Sequence, residues 1–254
     1  MKRRFSILLF CGFLGGCAPP ANDYLKKVNI ALPVENYQDV SDKQEAGREV
    51  SSPMALPFPD DFPPSRIIVM KDPRPYPSLS EPKYSFPAQN VVRLYDLKNI
   101  GEKRTILGYV ELLKKALRER KRTQAPGSRD DLPDYPTHNA GFLVQHKISY
   151  HDYSWGSGVF YLAQFTQSRG NFPNNEELCY QFQGLSKDGR MYVSAAFRVT
   201  HPILPATMSF TPVTDDIDAY ADKLADRLDQ QADDSFSPGL SVIRSWIQSI
   251  KLPE

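Results

Sequence analysis

Alternation of apolar and polar side chains predicts four successive β-strands in the middle of the chain. They cover the segments FLVQHKISYHDY (142–153), GVFYLAQFTQ (158–167), ELCYQFQGLS (177–186) and RMYVSAAFRVT (190–200). The glycines of SWGSG and the sequence Lys-Asp-Gly between the last two strands suit tight turns, which require positive φ angles. The pattern therefore predicts a four-stranded antiparallel meander.

Two shorter apolar runs, RIIVMK (66–71) and NVVRLYDL (90–97), predict strands ahead of the meander. Apolar residues three and four positions apart predict three helices, in GYVELLKKALRER (108–120), in 215–232 and from Pro238 to about 250. Because a run of strands and a set of amphipathic helices are segregated, the expected fold class is α+β. The expected arrangement is an antiparallel β-meander with the helices packed on one face.

The first seventeen residues have the layout of a secretory signal. Basic residues at 2–4 precede an apolar stretch at 5–14, which is shorter than the roughly 20 residues that a membrane span requires. The following sequence Leu-Gly-Gly-Cys, which ends at Cys17, resembles a bacterial lipobox. That resemblance implies diacylglyceryl transfer to the Cys17 thiol, cleavage before Cys17 and acylation (for example with palmitate) of the new amino group.

Two simpler explanations of this N-terminus stay open: an ordinary signal peptide, or an uncleaved anchor in which Cys17 is accidental. If Cys17 is lipidated, several acyl chains hold the protein far more firmly than one, at ~0.8 kcal/mol per buried CH₂. Ala18 follows Cys17, where Asp would be the usual signal for retention in the inner membrane. The expected location is therefore the outer membrane if the organism has one, and otherwise the outer face of the cytoplasmic membrane.

The charge balance changes little when the signal peptide is removed. Three of the 31 basic residues leave with residues 1–16, so 28 basic and 30 acidic residues remain, a formal charge of −2. This near-balance argues against nucleic acid as a partner.

Prolines divide the mature chain into two parts. Of the 22 prolines, 13 lie between Pro19 and Pro87, and Pro-rich segments are stiff and extended. We expect residues 17–60 to form the lipidated Cys and an extended tether, followed by a single domain at 61–254 with a loop or hinge at 123–137. A strap that lies along the domain, held by Phe58 and Phe62, is the alternative to a tether.

The blocks GSGVFYLAQF, NNEELCYQFQGLSKDGRMYVSA and DSFSPGLSVIRSWIQSI resemble a family of uncharacterised secreted or lipid-anchored bacterial proteins. The resemblance covers roughly residues 140–250 and implies no catalytic residues, since the family has no established activity. Phe160 departs from the pattern, because an Arg is common there. The order of strands and helices is also compatible with a Mog1/PsbP-like sandwich, an analogy of fold alone.

The sequence offers little support for a metal, a cofactor or a reactive thiol. His146 and His151 are five residues apart on one predicted strand, so we expect them on opposite faces, where they could not share a metal ion. GSG at 156–158 lacks the spacing of a nucleophile elbow, and no cofactor motif is present. Cys179 would be the free thiol of the mature chain, and we expect it to be buried in a strand.

A polar face of the meander is the best candidate for binding. Gln181 and Gln183 share one face of their strand, with Trp155 and Tyr161 near its rim and Arg190 at the hairpin. Amides beside aromatic rings suit sugars or peptides, and they also suit the ordinary solvent-exposed face of a sheet. Both interpretations stay open.

Two functions of different classes follow. The first is a lipid-anchored, non-enzymatic module that binds or assembles with another envelope protein and contacts the membrane through its lipid. The second is an envelope hydrolase or small-ligand-binding enzyme whose site is assembled from distant residues, for example His151, Asp152 and Glu177. A deep pocket with two perturbed titratable groups would favour the second.

Overall fold

The structure, a computed structural model, describes most of the chain after residue 22. The described residues are 23–33, 37, 39–45, 47, 63–72, 90–100, 105–121, 132–136, 140–167, 171–207 and 216–253. The signal peptide predicted for 1–16, Cys17, Phe58 and Phe62 lie outside them.

A seven-stranded antiparallel sheet forms the centre of the protein. The strands are β1 (Val40–Glu45), β2 (Ser65–Met70), β3 (Asn90–Asp96), β4 (Gly141–Asp152), β5 (Gly156–Thr166), β6 (Cys179–Ser186) and β7 (Met191–Arg198). Their order in the sheet is β1-β2-β3-β7-β6-β5-β4, with every neighbouring pair antiparallel. The predicted meander is thus confirmed as β4 to β7, and the two shorter predicted strands are β2 and β3.

Among the described residues, four α-helices accompany the sheet: α1 (Asp23–Lys27), α2 (Thr105–Glu119), α3 (Ile217–Asp229) and α4 (Leu240–Gln248). The last three confirm the helices predicted from apolar spacing, and the α+β class with an antiparallel sheet is correct. Asp216 fixes the start of α3 by accepting a hydrogen bond from the backbone N–H of Ala219, 3.0 Å away, as N-cap residues do. Within the described part of the chain, no helix combines the length and hydropathy needed to cross a bilayer.

The helices cover both faces of the sheet, so the predicted packing on one face is wrong. α1, α3 and α4 pack on one side, here called the α4 face, which includes Phe160 and Phe182. α2 packs on the other side, the α2 face, which includes Tyr161 and Tyr192. The physical reason is that every residue of β6 and β7 is buried, and the two faces of these strands each need a cover.

Parts of the predicted tether are folded against the sheet. In α1, Leu25 is fully buried and Val28 follows it into the same core. β1 pairs with β2 along six residues. Arg66 holds α1 in place, because its Nη1 donates hydrogen bonds to the carbonyl oxygens of Leu25 and Val28 at the end of the helix. These residues thus form a helix and a paired strand instead of extended chain. Most of 46–62 lies outside the described part, so the Pro-rich tether stays a prediction.

Candidate functional site

The polar binding face that the sequence predicts is buried. Tyr161, Gln181 and Gln183 are 0%, 2% and 1% exposed, on the α2 face. Trp155 is also buried, but it lies on the opposite α4 face, where its indole N–H donates to the carbonyl of Ile247 at 3.0 Å. The structure therefore does not bring the proposed residues together. Because the two amides and Tyr161 are buried, they form neither the recognition face nor the solvent-exposed face that the sequence left open.

A segment of the chain itself, residues 132–136, covers this polar face. The Tyr161 hydroxyl donates to the carbonyl of Pro133 at 2.7 Å, and the Gln183 amide donates to the carbonyl of Tyr135 at 3.1 Å. The Ser194 hydroxyl donates to the same Tyr135 carbonyl. Buried polar groups need such partners, so Tyr161, Gln183 and Ser194 hold this segment. The loop or hinge expected at 123–137 is, over its described part, a packed cover.

Cys179 lies on the same α2 face and is fully buried, as expected. Burial raises the pKa of its thiol, although hydrogen bonds from Gln181 and to the carbonyl of Ala163 work in the opposite direction. Because the thiolate is the reactive form, this thiol is inert in the folded protein.

The residues suggested for a dispersed catalytic site are apart. Asp152 points to the side of α2 and forms a salt bridge with Arg120 at 2.7 Å. Glu177 accepts hydrogen bonds from the amides of Gln164 and Asn174. Gln164 is six residues along β5 from Gly158, the partner of His151, and six residues of strand span about 20 Å. His151, Asp152 and Glu177 therefore form no common site.

A β-bulge in β4 overturns the expectation that His146 and His151 lie on opposite faces. The pairing with β5 shifts between His146 and Ser149, and Lys147 has a positive φ of 55°. The extra residue reverses the alternation, so both histidines point to the α4 face. His146 contacts Asp229 of α3 at 3.0 Å, whereas the His151 ring packs against Phe160.

The bulge carries a half-buried network of charged and hydroxyl groups. Lys147 donates to Asp233 at 3.2 Å, and Arg244 of α4 forms a salt bridge with the same carboxylate. Arg244 also donates to the Tyr180 hydroxyl at 3.1 Å. Burial works to raise the pKa of Asp233, but the hydrogen bonds and charges of Arg244 and Lys147 outweigh it and lower that pKa. The network joins α4 and the bulge with paired charges.

Ser149 and His151 extend this network as a hydrogen-bonded pair. The Ser149 Oγ and the His151 Nε2 are 3.1 Å apart, and the same Oγ lies 3.4 Å from the Tyr180 hydroxyl. Burial, with a further contribution from Arg244, lowers the pKa of His151, so its imidazole is neutral near pH 7. A neutral imidazole beside a hydroxyl has the chemistry of a base and a nucleophile.

Metal-binding chemistry finds no support in the described part of the chain. No group of three or more His, Cys, Asp or Glu side chains there is close enough to hold a metal ion. The two histidines that the bulge places on one face are engaged separately, one with Asp229 and the other with Ser149.

Arg190, the remaining residue of the predicted binding face, lines a surface groove of about 460 Å³ beside α1. Its guanidinium forms two 3.0 Å hydrogen bonds to Asp96, whose side chain is only 1% exposed. It also lies over the ring of Tyr24, 3.6 Å from the ring centre, in a cation–π contact. The bidentate ion pair and the ring fix the position of this guanidinium at the groove.

Three charged side chains and two C-terminal residues complete the groove. They are Asp23, Lys27, Asp188, Leu252 and Pro253. The C-terminal residues reach α1 because Lys251 pairs with Asn29 through two backbone hydrogen bonds. Of the residues that line this groove, the sequence analysis singled out only Arg190. The residues of α1 were missed because this helix is five residues long and carries no apolar stripe that would predict it.

The hydroxyl of Tyr24 is buried in the groove wall and has no hydrogen-bond partner among the described residues. Burial raises its pKa, and the nearby charge of Asp188 acts in the same direction. A buried hydroxyl without a partner costs stability, but this one is closed off from the groove and offers a ligand no direct contact as placed. What the groove offers a polar ligand is the fixed guanidinium of Arg190 and the charged side chains around it.

Comparisons of the chain with protein-family models, with curated proteins and with solved structures find no match.

Proposed function

We propose that this protein is a lipid-anchored component of the bacterial cell envelope, with a domain that binds or assembles with another envelope component and has no catalysis of its own. The observation that carries the proposal is the sequence Leu-Gly-Gly-Cys at 14–17, after a basic and an apolar segment. The acyl chains on Cys17 would place it in the outer membrane where there is one, and otherwise on the outer face of the cytoplasmic membrane.

The position of α1 supports a definite orientation of the anchored domain. Six residue steps separate Cys17 from Asp23, the first residue of α1, and they reach at most about 21 Å. Since Arg66 and the buried Leu25 hold α1 on the domain, the side that carries α1 faces the bilayer.

Acylation of Cys17 tests the anchor directly. In cells grown with radiolabelled palmitate, the wild-type protein incorporates the label and fractionates with membranes, and the Cys17→Ser variant does neither. Cys11→Ser is the matched control, since Cys11 lies in the segment that is removed, and it behaves as wild type. A Cys17→Ser protein that still carries palmitate would contradict the anchor.

The binding role needs a second experiment. Crosslinking of the native lipidated protein in intact cells, followed by purification and mass spectrometry, recovers one envelope protein in near-equal amount. That protein is lost in the Cys17→Ser variant, because the domain is then away from the membrane. Recovery of no enriched partner would contradict an assembly role.

A hydrolase is the second candidate, and the Ser149–His151 pair is the observation that favours it. Both groups lie on the α4 face beside Tyr180 and Arg244, whose donors suit a developing negative charge. A fluorophosphonate probe would label wild-type protein at Ser149 and leave Ser149→Ala unlabelled. Failure of the native protein to react would remove this candidate.

A further inference from the structure

We propose that the groove beside α1 binds the phosphoethanolamine headgroup of a phospholipid in the membrane that holds the protein. This inference rests on the proposed lipidation of Cys17, which brings α1 to the bilayer surface. The groove volume of about 460 Å³ lies within the range of roughly 300–1,000 Å³ that is typical of ligand pockets.

The charges that line the groove decide the kind of headgroup. Arg190 is paired with the buried Asp96, and Asp23 is paired with Lys26 at 3.4 Å. Lys27 forms no ion pair among the described residues. The cation of Lys27 and the anion of Asp188 are therefore the groove charges that can pair with a ligand.

Asp188 accepts hydrogen bonds from the Ser186 hydroxyl and from the backbone N–H of Arg190, which are uncharged donors. The positive charge of Arg190 also acts on Asp188, but this guanidinium is bound to Asp96, so the Oδ2 of Asp188 can accept from an ammonium group. A headgroup with one phosphate and one ammonium matches both remaining charges, whereas a purely anionic headgroup would meet Asp188 as a like charge.

Donors for the phosphate are held in place at the other side of the groove. Asp96 uses the Nε and Nη2 of Arg190, so among the described residues the Nη1 of the same guanidinium remains to donate. The Tyr24 ring lies under this guanidinium and helps to hold it in place. Together with Lys27, Arg190 gives the phosphate charge-assisted hydrogen bonds.

A photo-crosslinking experiment in cells tests the proposal on the natively processed protein. Benzoylphenylalanine replaces Leu252 in the groove or, as a control, Glu111 on α2, which lies on the other side of the sheet. The host membrane contains both phosphatidylethanolamine and phosphatidylglycerol. After irradiation, mass spectrometry identifies what is attached; Pro253 is a second probe position in case the first variant does not fold.

The expected result is a phosphatidylethanolamine adduct at position 252 and none at position 111. Lys27→Glu reduces the adduct about fivefold, since it replaces an attraction by a repulsion at an exposed site. Lys223→Glu, at an exposed position of α3, is the control and changes the yield less than about twofold, because Lys223 does not line the groove and pairs with none of the described residues that do. Asp188→Asn shifts the adducts toward phosphatidylglycerol.

Four outcomes would overturn the proposal: equal adducts at positions 252 and 111, equal effects of Lys223→Glu and Lys27→Glu, a protein adduct at position 252, or a water-soluble phosphate compound there. The same sample reports on Cys17. An acylated Cys17 without a lipid adduct refutes the groove alone, and a lipid adduct with an unmodified Cys17 refutes the anchor alone.

Discussion

The two faces of the sheet are covered in different ways. On the α4 face, Phe160 and Phe182 pack at 4.5 Å between ring centres, against aliphatic residues of α4. On the α2 face, the neighbouring positions Tyr161 and Gln183 bind backbone carbonyls of residues 132–136. The first cover is held by close apolar packing and the second by hydrogen bonds.

The difference teaches how a polar strand face becomes buried. Backbone carbonyls of a segment without regular structure need donors when they are buried. Amide and hydroxyl side chains on a sheet supply such donors, so a polar face of this kind is a suitable seat for a loop. Gln183 is polar because of what covers it, whereas in the groove beside α1 Lys27 and Asp188 form no salt bridge with a described residue.

The largest expected effect comes from breaking the apolar cover. Phe182→Ala removes a fully buried ring that contacts Phe160 and Trp155. We expect the free energy of unfolding, measured in urea, to fall by about 3–5 kcal/mol. Val242→Ala, at an exposed position of α4, should change it by less than about 0.5 kcal/mol. Similar values for the two variants would contradict the packing described.

The next residue of the same strand tests the polar cover. Gln183→Leu leaves the carbonyl of Tyr135 and the Tyr192 hydroxyl without the amide to which they bind. We expect a loss of about 1–3 kcal/mol in the free energy of unfolding, and faster hydrogen exchange at 132–136. A neutral substitution, with exchange unchanged, would show that the amide does not hold this segment.

Alkaline pH should act mainly on the α2 face through Cys179. Burial raises the pKa of this thiol, so the folded protein keeps the proton while the unfolded chain loses it above its ordinary pKa of about 8.5. Stability is therefore lost as pH rises, by about 1.4 kcal/mol between pH 7.5 and 9.5. Cys179→Ala should reduce this dependence without removing it, because burial also raises the pKa of Tyr161 and Tyr192 and they contribute as the pH approaches 10. An unchanged slope would be the contrary result.

Acid pH should act on the α4 face through His151, with a smaller effect. Its pKa is lowered by burial and by Arg244, so the unfolded chain binds a proton below about pH 6.5 that the folded protein resists. Stability is lost as pH falls from 7.5 to 5.5, by less than about 1 kcal/mol. His151→Asn should reduce the slope in part, since burial lowers the pKa of His201 too. If the variant lost stability more steeply than the wild type as pH falls, the direction assigned to the pKa shift of His151 would be wrong.

The sequence was sufficient for elements with a long periodic pattern. The apolar spacing of α2 and α4 and the alternation in β5 to β7 predict those elements within a few residues. The cover of the polar face could not be predicted, because residues 132–136 form no regular element and are held by their backbone carbonyls. The bulge at Lys147 changes which side chains of β4 point to each face of the sheet. The alternating sequence of β4 contains nothing that predicts this bulge.

The candidate site was harder to predict than the fold. α1 and the polar edge strand β1 are held by contacts of Arg66 with Asp42 and with the end of α1, which are distant in sequence. Reading residues 17–60 as a tether therefore removed Tyr24 and Lys27 from consideration. Gly158, interpreted as a turn residue, lies inside β5, where a Cβ atom would stand 2.3 Å from the ring of Phe182. Its role is to admit that ring.

Which side of the domain faces the membrane tests the central claim most directly. A fluorophore is attached to the lipidated protein in vesicles at Lys26→Cys on α1 or at Lys115→Cys on α2, and quenching by nitroxide-labelled lipid headgroups is measured. Cys179 does not interfere, because it is buried. The account predicts strong quenching at position 26 and weak quenching at position 115, on the far side of the sheet. Equal quenching at both positions, or stronger quenching at position 115, would contradict it.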